Sequence, residues 1–270
     1  MNKLIAIILM SMISIASVAS DDFPGRSVYP NVPYIELDDL YKQRDNVVII
    51  DARSPYEYET LRIQGAVSVP LSLTPKKFED QMRALRETNP DKKLVFYCNG
   101  HKCMKSYKAA SRSKSYVRLT NVYAFDAGIF DWSSKYPMQA ILLGKELQDP
   151  KKLISKDNFK SHLMDAEKFI KSADDSVSIL DIRDRIDRDG FYLFSRDEAS
   201  ISLTAKDKIL MDQFLDKVKK NNKTLYVYDL VGRQVRWFQY LIESKGIKNY
   251  YFMKGGADAF FKIPIQNLMD

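Results

Sequence analysis

The chain is poor in the residues that staple or chelate: 270 residues contain only two cysteines, two histidines and two tryptophans. Cys98 and Cys103 lie five positions apart, so they cannot form the widely spaced disulfide framework of a small exported domain. After the N-terminus no stretch approaches the roughly 20 apolar residues that a membrane helix needs. Dense basic runs with interleaved aromatics are missing too, which sets nucleic acid aside as a partner. No segment is of low complexity.

Lys3, the apolar stretch Leu4 to Ile15 and the small residues Ser17-Val18-Ala19-Ser20 read together as a secretory signal peptide over residues 1–20. The expectation is a mature chain that is periplasmic or secreted, with no membrane attachment after cleavage and no cysteine at the junction to carry a lipid. The net charge of +7 falls to +6 without Lys3, a mild and interspersed basicity suited to steering small anions. Roughly 250 remaining residues suffice for two domains.

An internal repeat divides them. Val47-Val48-Ile49-Ile50-Asp51-Ala52-Arg53 resembles Val177-Ser178-Ile179-Leu180-Asp181-Ile182-Arg183, and Lys93 to Cys98 resembles Thr224 to Asp229. The stretch Asn121 to Gly128 likewise resembles Asn249 to Gly256. β-branched runs at Val47–Ile50, Leu94–Tyr97 and Val122–Phe125 alternate with helical patterns at Leu37–Gln43, Pro75–Thr88 and Lys105–Ser115. The expected fold is α/β, two tandem domains each with an open, mainly parallel sheet flanked by helices: 21–145 with the cysteine, and 146–270 with Asp229 in its place. Residues 140–157 read as a connector. Three extra residues separate Cys98 from Gly128, compared with Asp229 and Gly256, and they are expected in the Cys98 loop.

Cys98 ends an apolar strand and opens a polar loop, Asn99-Gly100-His101-Lys102-Cys103-Met104, before the helical Lys105 and Ser106. In parallel sheets ligands bind beyond the carboxyl ends of the strands. Loop amides, a helix N-terminus, Lys102 and Lys105 all favour a thiolate there, and His101 adds charge when protonated. These are the attributes of a nucleophile that handles anions. Asp51 and Arg53 are expected to tie the strand end to the neighbouring loop. Cys103 can pack, or can react with Cys98. His162 is expected to be exposed on a polar helix, and Trp237, Phe238 and Tyr240 to be core.

Taken together, Ile49-Ile50-Asp51-Ala52-Arg53, Ser54-Pro55-Tyr56-Glu57-Tyr58, Ile63 to Pro70, Cys98, and Phe125-Asp126-Ala127-Gly128 with Trp132 resemble the motifs of the rhodanese superfamily. Leu61-Arg62 replaces the family's Gly-His and Ala127 its first glycine. The loop resembles the extended Cys-Asn-Gly-x-x-Cys-x-x-Ser variant, with Lys105 in the arginine-like place. The resemblance implies sulfur transfer through a Cys98 persulfide, with Asn99, Gly100, His101, Lys102, Met104, Lys105 and Ser106 as the anion-binding loop and no cofactor or metal. It implies a small anionic donor, thiosulfate or a persulfide, a thiol or cyanide-like acceptor, and a periplasmic thiol reductant should Cys103 act as a resolving cysteine. Other readings are a sulfur or selenium carrier or thiol-redox binding module with little turnover, a phosphatase, and a metal site at Cys98, His101 and Cys103.

Overall fold

The computed structural model describes residues 22–188, 191–194 and 198–268, so the expected signal peptide lies outside the described residues. From the N-terminus, α1 (Pro24–Val28) and α2 (Leu37–Gln43) precede β1 (Val47–Asp51), α3 (Pro55–Thr60), β2 (Leu61–Ile63), β3 (Val67–Ser68) and α4 (Pro75–Thr88). Next come β4 (Lys93–Tyr97), α5 (Lys105–Ser115), β5 (Val122–Phe125), α6 (Gly128–Lys135), β6 (Ala140–Leu142) and β7 (Lys145–Glu146). The remainder runs α7 (Lys156–Ser161), β8 (Leu163–Met164), α8 (Ala166–Lys171), β9 (Val177–Asp181), α9 (Arg185–Arg188) and β10 (Glu198–Ser200). It ends with α10 (Lys208–Lys220), β11 (Thr224–Tyr228), α11 (Val235–Ser244), β12 (Tyr250–Met253), α12 (Gly256–Phe260) and α13 (Ile265–Leu268).

Local chemistry sets the boundaries. Ser54 and Glu57 form a capping box at the start of α3, with Pro55 in the first turn. Thr74 caps α4, whose Phe78 and Met82, one turn apart, face the core. The strands β1, β4, β9 and β11 are rich in β-branched and aromatic residues buried on both faces, the composition of a parallel sheet covered by helices.

Two parallel sheets result, in the orders β3-β1-β4-β5 and β10-β9-β11-β12-β8. Their registers correspond: Asp51 lies beside Tyr97 in the first as Asp181 lies beside Tyr228 in the second. Even the outermost position has a counterpart, since Tyr34 bridges Ala124 where β8 pairs with β12. The α/β architecture expected from the alternating pattern is therefore the observed one.

Three local expectations are corrected. The stretch read as a connector begins with β6 and β7, which extend an antiparallel sheet from β2, because Ala140 is apolar enough to be buried there. From Cys98 to the first residue of α5 is seven positions and from Asp229 to the first residue of α11 is six, so only one of the three added residues falls in the loop. Of the other two, one lengthens α5 to 11 residues against 10 in α11, and one lies in the surface connection before β5, where added length costs little. Finally, His162 is half-buried: it closes α7, stacks on Tyr250 at 3.9 Å and places Nδ1 3.0 Å from the Tyr250 carbonyl.

The first sheet packs one face against Phe78, Met82 and Tyr107 and the other against Trp132. The second cluster is continuous with α11, whose Trp237 and Tyr240 are 3% and 4% exposed. Trp237 stacks on Phe130 at 5.4 Å and lies under the Arg53 guanidinium at 5.0 Å, and the Tyr240 hydroxyl accepts the Ile154 N–H. Such an aromatic stack adds about 0.5–1.5 kcal/mol beyond the area it buries. The aromatic residues expected to be core thus also join the two units.

Candidate functional site

Cys98 directly follows β4, a central strand, at the carboxyl end of the first sheet, and is 1% exposed. Its backbone is held from across the sheet. The Ile129 N–H donates to the Cys98 carbonyl at 2.9 Å and the Phe130 N–H to the Asn99 carbonyl at 3.4 Å. These bonds require the start of α6 to lie against the loop, which Gly128 permits: its φ is +69°, and a Cβ there would sit 2.5 Å from the Gly100 nitrogen.

A buried fork supports the loop from below. Arg53 and Asp51, both essentially inaccessible, pair through 2.9 Å and 2.6 Å bonds, and the same guanidinium donates to the Leu61 carbonyl and to Asn99 Oδ1 at 3.3 Å. Burial opposes the charge on Arg53, but the Asp51 carboxylate more than compensates and holds its pKa above the ordinary guanidinium value. Asp51 and Arg53 act on the site through Asn99.

Glu57 completes the support and was not singled out from the sequence. Its Oε1 accepts from Asn99 Nδ2 at 3.1 Å, and its Oε2 lies 3.7 Å from Lys105 Nζ. Burial pushes the Glu57 carboxyl upward, yet Arg53, Lys105, the Ser54 N–H and Asn99 together hold it below the usual carboxylate range. The spacing Ser54-x-x-Glu57 is legible as a cap; its second task depends on the long-range approach of Asn99.

The loop itself is closed. Cys98 and Cys103 form a disulfide with a Cα–Cα distance of 6.2 Å, and the Cys103 N–H donates to the Gly100 carbonyl at 2.8 Å, turning the chain back. The other amides from Asn99 to Met104 donate to no acceptor among the described residues. Ser106, on the first turn of α5, is buried with an unpartnered hydroxyl. With both sulfurs bonded to each other and His101 directed to Asp131, these three side chains do not converge as metal ligands.

Charges around the loop divide into engaged and open. His101 Nε2 is 2.7 Å from Asp131 on α6, and its ring stacks on Phe23 at 4.2 Å. Lys105 turns toward Glu57, whereas Lys102 is exposed without an ion pair among the described residues. The segment bearing Phe23 is pinned by Arg26, whose Nε donates to buried Asp126 at 2.8 Å, and the Tyr107 hydroxyl donates to the same carboxylate at 2.7 Å. Met104 precedes α5 and is half-buried.

In the second unit the same frame holds an acid. Asp181 and Arg183 repeat the fork, with Arg183 donating to the Phe191 carbonyl at 2.8 Å. Ala257 and Asp258 N–H groups capture the Asp229 and Leu230 carbonyls. The Asp229 carboxylate accepts the Gly232, Gln234 and Val235 N–H groups. Burial lifts its pKa above the ordinary value despite those donors.

A strand-end cysteine, a loop running into a helix, and a buried Asp-x-Arg fork are thus gathered at the carboxyl end of a parallel sheet in an α/β protein. Residues 36–135 match the rhodanese-like domain, and the chain belongs to the rhodanese superfamily. It is 32% identical over 101 residues to the thiosulfate:glutathione sulfurtransferase of Saccharomyces cerevisiae, covering 34% of this chain and 69% of that protein. It is 29% identical over 100 residues to the tRNA uridine(34) hydroxylase of Acinetobacter baylyi, covering 37% of this chain. This chain spans only 30% of the length of that hydroxylase. A solved thiosulfate sulfurtransferase from Pseudomonas aeruginosa superposes with a TM-score of 0.34 at 17% identity, over 90% of this chain and 48% of that one.

Proposed function

We propose that the chain is a sulfurtransferase that carries sulfane sulfur on Cys98, from a small anionic donor such as thiosulfate or a persulfide to a thiol or cyanide-like acceptor. The observation that carries this reading is the place of Cys98: at the carboxyl end of a central parallel strand, backed by the Asp51–Arg53 fork and opening an amide-rich loop. The yeast relative's name, a thiosulfate:glutathione sulfurtransferase, supports this donor and acceptor chemistry. The hydroxylase relatives match over a similar length, so they support the domain and not tRNA as a substrate.

Reduction of the disulfide comes first, because Cys98 must be a thiolate to attack. The thiolate then takes the outer sulfur of the donor, and the loop amides from Asn99 to Ser106 stabilise the anionic persulfide. Lys102 and Lys105 attract the donor as point charges, without the planar fork of arginine, which favours a persulfide over an oxyanion that must be gripped at two atoms. Export through the signal peptide 1–20 places this chemistry in the periplasm or outside the cell. The unit around Asp229 is a degenerate rhodanese-like copy with a structural or substrate-shaping role.

Steady-state turnover of reduced, signal-free protein tests this. Thiosulfate and glutathione persulfide are offered as donors, with cyanide and glutathione as acceptors. Thiocyanate or glutathione persulfide formation that disappears in Cys98→Ser supports the reading. Retained turnover in Cys98→Ser, or none with any pair in both the wild type and Cys103→Ser, overturns it.

A further inference from the structure

The second cysteine has no task in simple sulfur transfer, yet the fold presents it to the first. Cys98 sits at the clamped end of the loop, its carbonyl held by Ile129 and its neighbour Asn99 held by Arg53 and Glu57. Cys103 sits on the returning arm, turned back by its own N–H bond to Gly100, and is half-buried where Cys98 is covered. The bond between them shows that the Cys103 sulfur reaches the Cys98 Sγ while every one of these anchors stays in place. That atom is the inner sulfur of a Cys98 persulfide.

We infer that Cys103 resolves the Cys98 persulfide, so that the protein is also a sulfane-sulfur reductase that releases sulfide. The inference rests on the proposed Cys98 persulfide. The Cys103 thiolate attacks Cys98 Sγ, the Cys98–Cys103 bond forms, and the sulfur–sulfur bond of the persulfide breaks. Its electron pair leaves with the terminal sulfur as hydrosulfide. The sulfane sulfur is reduced by two electrons, the two cysteines are oxidised to the disulfide, and the Cys103 proton balances the hydrosulfide as hydrogen sulfide. A dithiol reductant then returns two electrons and two protons, entering at the more accessible Cys103. Hydrosulfide is a weakly basic leaving group, which favours the attack. External thiols therefore compete with an intramolecular attack whose partners are already adjacent.

A single-turnover experiment separates the two roles. Reduced protein, freed of reductant, receives a limiting amount of glutathione persulfide; released sulfide is followed over time and the loop peptide is mapped without reduction. Wild-type protein is expected to release about one sulfide per sulfur loaded, at a rate independent of protein concentration, and to end as the disulfide. Cys103→Ser and Cys103→Ala are expected to keep the extra sulfur on Cys98 and release sulfide at least about tenfold more slowly until an external thiol is added. Sulfide release at the wild-type rate in both variants, or a wild-type persulfide that persists, overturns the inference; extra sulfur on Cys98 in that same experiment leaves the sulfurtransferase reading standing. Failure of Cys98 to take up sulfur in any of these proteins overturns both.

Discussion

The loops after β4 and β11 leave their sheets in the same way and end in different chemistry. Each is fed by a strand beside a buried Asp-x-Arg fork, and each has its first carbonyls captured by a helix that a positive-φ glycine lets come close. In the second unit a carboxylate occupies the cradle permanently, drawing three N–H groups onto itself. In the first unit the amides are left largely unspent and the sulfur is bonded to a second sulfur that can be removed by reduction. The scaffold therefore presents the same loop frame twice, and the side chain at its first position decides whether the loop amides are spent on an internal carboxylate or left open.

The deepest way to break the comparison is to remove the carboxylate of each fork. Asp51→Asn and Asp181→Asn each leave a buried guanidinium uncompensated and are expected to lose about 3–5 kcal/mol in urea unfolding. A large loss at one position and a negligible loss at the other would mean that the forks are not equivalent. Next in size is the glycine approach. Gly128→Ala and Gly256→Ala each place a Cβ within 2.5 Å of loop backbone at positive φ, with an expected cost of about 2–3 kcal/mol. Only Gly128→Ala is expected to slow sulfur loading of Cys98, and equal slowing by Gly256→Ala would contradict the division of labour.

Removing the internal anion sharpens the contrast further. Asp229→Ala leaves its three amide donors unpaired, for an expected loss of about 1–3 kcal/mol, with sulfur loading at Cys98 unchanged. The smallest effect is in the pH dependence, where the two units have opposite signs. Glu57, held below the usual carboxylate value of about 4.3, contributes stability above that pH that is lost as pH falls through its folded value. Asp229, raised above its usual value of about 3.9, contributes stability fully present below that pH and lost as pH rises through its folded value. Glu57→Gln removes the titrating charge and is expected to flatten the acid limb of the stability profile. A steeper acid limb in Glu57→Gln would contradict the sign assigned here.

Strand ends and the cysteine-bearing loop were legible because each is local. The β-branched run Val47 to Ile50 reads as a buried strand from its composition. Short stretches were less legible, since β6 acquires its strand character by pairing with β2, and β7 by pairing with β6. The length difference between the loops was visible in the sequence, but its location was not, because loop, helix and connection can each take up a residue without changing the hydrophobic pattern.

By itself the sequence determined the α/β alternation, the recurrence of the Asp-x-Arg strand, and the identity of the residue at the mouth of each loop. Only the tertiary structure decided that Glu57 joins Asn99 to Lys105, that His101 belongs to Asp131 and Phe23, and that Trp237 of one unit covers Arg53 of the other. It also brings the Cys103 sulfur onto that of Cys98. Periodicity and capping are written within a few neighbouring residues, whereas those contacts join residues far apart along the chain that only the packed sheet ends bring within a few ångströms. Cys98 and Cys103 are near neighbours, but what bonds them is the turn closed at Gly100 and held against α6.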